Sequence, residues 1–266
     1  MLSVNPFALL AESISPIFLQ SFVIIMVVLV VVGTLIDIIH KKNVKYFFNN
    51  AKKAKLSATK TLSTGQKISV ISKTIVSDIA TTSELGAGKR RAAHLLGMYG
   101  TILFWISSAI MIFCYSTTSS DTPTVWPIIW HVGAIMTVLG GCWFWFFLRV
   151  DVYSEAHPWY RIIKADLFVL ALIASSLFGL IWSYLQSLDL NDRWDDKLFL
   201  VLYIISNLVL FGGVYWSKFP HMYYKPGAAI QKNLAEADGS RDNLPPESDA
   251  PKQFGLGITR EDPKHY

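Results

Sequence analysis

From Val23 to Val32 the chain is almost unbroken aliphatic sequence, set inside a longer apolar run from Pro16 to His40. A run of that length is hard to bury within a soluble fold of 266 residues. As a helix of about 20 apolar residues, it matches a hydrocarbon core of roughly 30 Å. Four further runs follow, at 92–115, 125–148, 163–185 and 198–216. In lipid every backbone polar group must be satisfied within the protein, so these runs are expected to be helices. The pattern predicts an all-α integral membrane protein built as a five-transmembrane-helix bundle. Composition agrees: 52% of residues are hydrophobic and only 16% charged, against about a quarter charged in average soluble domains.

Ser15 and Pro16 occupy the N-cap and N1 positions of the first span. No Lys or Arg precedes Lys41, so an uncleaved helix is expected and not a signal peptide. The expected organisation is an N-terminal outside segment and first span at 1–40, then a basic cytoplasmic segment at 41–91. A four-helix bundle at 92–224 and a polar cytoplasmic tail at 225–266 complete it. The connections between the last four helices are short, which makes those helices antiparallel neighbours.

Positive charge sets the orientation. Segment 41–91 holds twelve of the 24 Lys and Arg residues, the 149–164 connection three, and the chain from Lys218 onward seven. The N-terminus and 116–124 have none, and 186–197 has only Arg193 and Lys197. Five crossings with the N-terminus outside and the C-terminus cytoplasmic reproduce this split, in the plasma membrane of the cell. Between Lys41 and Lys60, Phe47, Phe48 and Leu56 stand among many lysines. That mixture reads equally as an amphipathic helix on anionic headgroups or as a solvated, topology-setting loop. The tail is polar, contains Pro245-Pro246, and is expected to be disordered or ordered along a partner.

The sequence has no Gly-rich phosphate loop, no GxSxG and no HExxH. Cys114 and Cys142 lie inside apolar runs and outside any CxxC pattern, as packed thiols would. Few intramembrane charges and no paired broken helices argue against a transporter. Ionisable groups close to the spans are the functional candidates. Of the six histidines, His40, His94, His157 and His221 fall near the cytoplasmic face, and only His131 near the outer one. His131, with Trp126 and Trp130, reads as part of an interfacial belt. His94 and His221 share a depth, and each has small residues at helical spacing beside it. Gly97 and Thr101 follow His94; Gly213, Val214 and Lys218 precede His221. Such a pair is the pattern of a bis-imidazole haem site or, equally, of two hydrogen-bonded interfacial histidines. Arg90, Arg91 and Lys218 lie at the same level and could hold haem propionates. His157 reads as a quinone or proton site, or as a loop histidine before Pro158. Lys164 and Asp166 are expected to pair, and Asn207 to bond a neighbouring helix.

Three segments carry a family resemblance. Lys89-Arg90-Arg91-Ala92-Ala93-His94-Leu95-Leu96-Gly97 resembles the opening of helix two in the nitrate reductase gamma-subunit family. Asp166-Leu167-Phe168 with Ser176-Leu177-Phe178-Gly179 resembles its fourth helix, and Trp216-Ser217-Lys218-Phe219-Pro220-His221-Met222 its closing motif. That group includes the membrane cytochrome b subunits of heterodisulfide reductase-type complexes, and the similarity spans roughly 17–224. It implies an electron-transfer subunit passing electrons between the quinone pool and a soluble iron–sulfur partner on the cytoplasmic face. Lipid and other membrane subunits are further partners, and nucleic acid is not one. By the resemblance, His94 and His221 are the axial ligands (the metal ligands) of one haem b. The second-haem positions fall near Phe104 and Tyr203, neither of which is a plausible replacement for a histidine of a bis-imidazole site, so one haem is expected and not two. Pro220 departs from the pattern. The alternative is a haem-free accessory subunit stabilising a larger membrane complex.

Overall fold

The computed structural model describes residues 2–85, 88–149, 158–188, 194–241, 253–254 and 258–259. They fold into two compact units, each assembled from two separated stretches of chain: Met1–Asp37 with Ala92–Pro220, and Ile38–Arg91 with His221–Tyr266.

The first unit is a helical bundle. A one-turn helix, α1 (Pro6–Leu10), precedes α2 (Pro16–Lys41). After the second unit's first stretch come α5 (Lys89–Cys114), α6 (Val125–Trp143), α7 (Leu167–Gln186) and α8 (Trp194–Gly212). A π turn, Phe144–Leu148, prolongs α6, and a 3-10 turn, Lys164–Asp166, leads into α7. Among the described residues, four helical runs are long and apolar enough to cross a membrane: Pro16–Lys41, Lys89–Cys114, Val125–Leu148 and Lys164–Gln186. The fifth apolar run is shorter than its sequence suggests. α8 opens on Asp195, Asp196 and Lys197 and ends at Gly212, where Gly213–Pro220 turns instead of continuing the helix.

The bundle is apolar outside. Ile24, Val28, Val31 and Leu35 of α2 are exposed, as are Ile102 and Ile106 of α5 and Ile128, Ile135 and Leu139 of α6. So large an exposed apolar surface belongs against lipid or protein rather than water. Inside, small and polar residues allow close approach. α5 and α6 cross antiparallel through Gly100, Gly133 and Gly140. A Cβ on Gly140 would lie 2.5 Å from the backbone nitrogen of Gly97, and one on Gly133 2.6 Å from that of Phe104. Thr101 Oγ1 donates to the Gly97 carbonyl at 2.7 Å and meets Thr137 Oγ1 at 3.5 Å. On α7, Gly179 makes room for the Tyr203 ring of α8.

Aromatic rings fill one end of this unit. Trp130 and Trp182 are wholly buried; Trp130 Nε1 donates to Ser108 Oγ at 2.9 Å, and Trp182 stacks on Tyr203. Phe7 of α1 closes the cluster, its ring centroid 5.8 Å from Trp130 and 5.7 Å from Trp182. Asn5 caps α1 through the amides of Phe7 and Ala8. Its own Nδ2 donates to the Tyr115 carbonyl and to Thr122 Oγ1. The residues before the first span are therefore part of the core. Phe104 and Tyr203 sit in that same core.

Two packing expectations change. Trp130 and His131 are fully buried, so they form no interfacial belt. Asn207 Nδ2 bonds the Tyr203 carbonyl one turn back on its own helix, not a neighbour. Cys114 is exposed and Cys142 half-buried, and both are free thiols.

The second unit contains α3 (Asn43–Leu56), α4 (Thr64–Thr74) and α9 (His221–Ala237). Lys42 has φ 53°, a left-handed conformation that separates α3 from α2. Ser63 and Gln66 form a capping box at the start of α4, and a π turn, Ile75–Ala80, continues it. α9 binds both helices. Asn233 Nδ2 donates to Thr74 Oγ1 at 2.8 Å and to Asp78 Oδ2 at 2.6 Å, and Phe47 of α3 faces Gly227. Asp238 closes the unit by accepting from the amides of Thr59 and Lys60. The hydroxyl of Ser83, then Asn233, hold the Asp78 carboxyl below the usual carboxylate range. The tail as far as Ala237 is thus ordered on the chain's own 41–91 segment. Gln253–Phe254 and Ile258–Thr259 pair as short antiparallel strands.

Candidate functional site

The residues expected to hold a haem fall in both units. His94 is exposed, one turn into α5. A Cβ on Gly97 would meet nothing within 4 Å, so the helix surface a turn beyond His94 is open. Thr101 is not part of that opening; it is buried against α6. Arg90 is exposed, while Arg91 belongs to the second unit and its Nε donates to the Thr81 carbonyl at 2.7 Å.

His221 differs most from the sequence reading. It does not end the fifth span; it opens α9, in the second unit. Gly213, Val214 and Lys218 therefore share no helical face with it. Gly213 and Val214 are buried in the bundle, and Gly33 of α2 packs against Val214, to whose Cβ an added Cβ would be 2.9 Å. The Lys218 amide donates to the Ala165 carbonyl at 3.3 Å while its side chain is on an exposed residue. Pro220, which lacks an amide hydrogen, sits in this break. A bis-imidazole haem needs both ligands on packed helix faces. The continuous fifth helix on which His221 was expected ends at Gly212, while His94 lies on an exposed helix surface. Among them, no group of three or more His, Cys, Asp or Glu could hold a metal ion. His157 and His265 lie outside the described residues.

A constellation not expected from the sequence lies where α6 meets α7. Arg149 follows the π turn of α6 and is completely buried. Its Nη2 meets Asp166 Oδ2 at 2.5 Å and donates to the Arg161 carbonyl at 2.6 Å, while Nη1 donates to the Pro158 carbonyl at 3.0 Å. The guanidinium sits 4.2 Å from the Trp145 ring centroid. Asp166 Oδ2 also accepts from the Ile163 amide at 2.9 Å, which fixes the entry to α7. Asp166 is therefore held by Arg149 and not by Lys164. A planar guanidinium with five donors can gather a carboxylate and two carbonyls at once, which an ammonium cannot do with the same geometry. Nearby, Phe219 is buried with its ring 5.5 Å from Phe168, so the 213–220 turn packs against this same end of the bundle.

The sequence showed Arg149 only as one positive charge among several. The missed signal was an Arg at the end of one apolar run and an Asp at the start of the next. His131 is another satisfied polar centre of the bundle. Nδ1 lies 2.7 Å from the Pro127 carbonyl and Nε2 2.9 Å from Ser183 Oγ, so the ring ties α6 to α7. Asp37 of α2 is also buried, an acidic residue within the first apolar run that the sequence reading passed over.

Comparison with protein-family models, with curated proteins and with solved structures finds no match.

Proposed function

We propose that this chain is a membrane-anchoring subunit. In this reading it crosses the bilayer five times, its N-terminus outside, and keeps a lysine-rich helical unit and polar tail at the cytoplasmic face for a soluble subunit. The observation that carries the reading is the pairing of an apolar-surfaced bundle with a separate basic unit in one chain. α8 fits as the fifth crossing. Its apolar part, 198–212, extends about 22 Å, the apolar sequence runs on through Trp216, and Leu198, Val201, Ile205 and Leu208 give it an exposed apolar stripe. The absence of Lys and Arg from 116–124 supports the orientation.

The orientation is tested by placing single cysteines at exposed Thr118 and Lys60 in a chain whose native thiols are replaced. A membrane-impermeant maleimide added to intact cells is expected to label Thr118→Cys and to spare Lys60→Cys. The reverse pattern, or labelling of both, would defeat the five-crossing topology.

The resemblance makes the soluble subunit a redox protein and offers a second reading: electrons pass between quinone and that subunit through one haem b. The open surface beside His94 favours it; the break before His221 favours the haem-free form. The visible spectrum of protein purified from haem-replete cells and reduced with dithionite separates them. The haem-free anchor predicts no sharp alpha band. A band abolished in both His94→Ala and His221→Ala would overturn it in favour of the electron-transfer subunit.

A further inference from the structure

The exposed side of α3 is a basic and aromatic face of the unit that the anchor reading keeps at the cytoplasmic side, and that reading does not say what this particular face meets. Between Ile38 and Ser77 the chain has nine lysines and no acidic residue. α3 divides this stretch into two sides. Val44, Phe47, Ala51 and Ala54 are half-buried, with Phe47 turned toward α9, and they recur at helical spacing. On the opposite side Lys45, Asn49, Lys52 and Leu56 form one line, flanked by Tyr46 and Lys53 on one edge and by Phe48 and Lys55 on the other. Tyr46 is 70% exposed, Phe48 63% and Leu56 82%.

We infer that this face of α3 binds a bilayer surface rich in anionic lipid headgroups. Three observations select lipid over a soluble acidic protein. The inner side of α3 already packs within its own unit, so the outer side is free to meet a partner. Lysines are interleaved with exposed large apolar side chains, which suits the boundary between phosphates and acyl chains, where cations stay with headgroups while rings and Leu56 enter below them. And α3 starts at Asn43, two residues after α2 ends at Lys41, so a bilayer crossed by α2 is close by covalent connection. This last point rests on the membrane-anchor reading. A polybasic segment beside a span is attracted to the negative surface potential of anionic leaflets, and the attraction falls off within a Debye length.

The test uses the full chain incorporated into lipid nanodiscs, either wholly zwitterionic phosphatidylcholine or one-third phosphatidylglycerol. Amide hydrogen exchange is followed over peptides spanning 43–56. Exchange in α3 is expected to slow about tenfold in the anionic discs. The slowing is expected to vanish in 1 M salt, where the Debye length is about 3 Å. It is also expected to vanish in the variant carrying Lys45→Glu, Lys52→Glu, Lys53→Glu and Lys55→Glu. These positions are all exposed, and unchanged exchange in α4 and α9, the other helices of the same unit, shows that the variant is folded. Equal exchange of α3 in both kinds of disc would overturn the proposal. So would slowing that appears only when a soluble acidic protein is added. Failure of the anchor reading looks different, because the chain would then not incorporate into either disc.

Discussion

Arg149→Ala is expected to destabilise the bundle by about 3–5 kcal/mol, because it leaves the Asp166 carboxylate buried without its countercharge. The effect exceeds that of an ordinary ion pair, since the guanidinium is completely buried and also serves the Pro158 and Arg161 carbonyls. Pairs exposed to water contribute only about 0–1 kcal/mol. Arg149→Lys is expected to recover little of the loss, as an ammonium lacks the planar fork. The double replacement Arg149→Leu with Asp166→Leu is expected to recover more than either single change, since it removes both buried charges. Thermal unfolding in detergent, followed by tryptophan fluorescence, reads all four proteins. A double variant no more stable than Arg149→Ala alone would mean that the carbonyl contacts, and not the ion pair, dominate.

A comparable loss is expected from the helix crossing. Gly140→Ala puts a methyl group 2.5 Å from the Gly97 nitrogen and 2.8 Å from the Ala93 carbonyl, both backbone atoms that no rotamer change can move. α5 and α6 must separate, at a cost of about 1–3 kcal/mol or more, and Gly140→Val is expected to prevent folding. Gly97→Ala provides the contrast within the same crossing. Its added Cβ meets nothing, so the only large effect is the relief of glycine's helix penalty, up to about 1 kcal/mol in favour of the fold. Unfolding midpoints of Gly97→Ala and Gly140→Ala should therefore move in opposite directions. If both fall together, the close crossing is not where the fold places it. Gly97→Ala also bears on the second functional reading, for a flat ring lying beside His94 would be disturbed by that methyl while an empty helix surface would not.

What could be read from the residues was periodic or compositional. The long apolar runs are helices, which satisfy every mid-segment backbone amide and carbonyl within the segment itself, as a run of that length would need in lipid. Their starts were equally local: Pro16 opens α2, and the Lys89–Arg91 cluster opens α5. The segregation of lysine into 41–91 was visible too, but the residues alone leave open whether 41–60 forms a helix with a basic face or a loop, which the structure decides by turning Phe47 of α3 inward. The end of α8 was not. An apolar composition continues through Tyr215 and Trp216, so nothing in hydropathy marks Gly212 as the last helical residue, and the histidine alignment that depended on a continuous helix was lost with it.

The remaining decisions belonged to contacts between residues far apart in the chain. Phe7 enters the core because α5, α6 and α7 leave an aromatic-lined space at one end that its ring fills. His131 is a buried tie because Ser183 arrives opposite it, 52 residues later. The tail to Ala237 is ordered because Thr74, Asp78 and Gly227 offer it partners in the distant 41–91 segment. Asp166 takes Arg149 and not its neighbour Lys164 because only the buried guanidinium can meet the carboxylate and two carbonyls in one plane. The sequence by itself determined that the long apolar runs are helical and where the positive charge lies. The tertiary structure alone decided which polar groups meet, because a buried charge or imidazole takes the partner that replaces its lost water, and proximity along the chain does not say which that is.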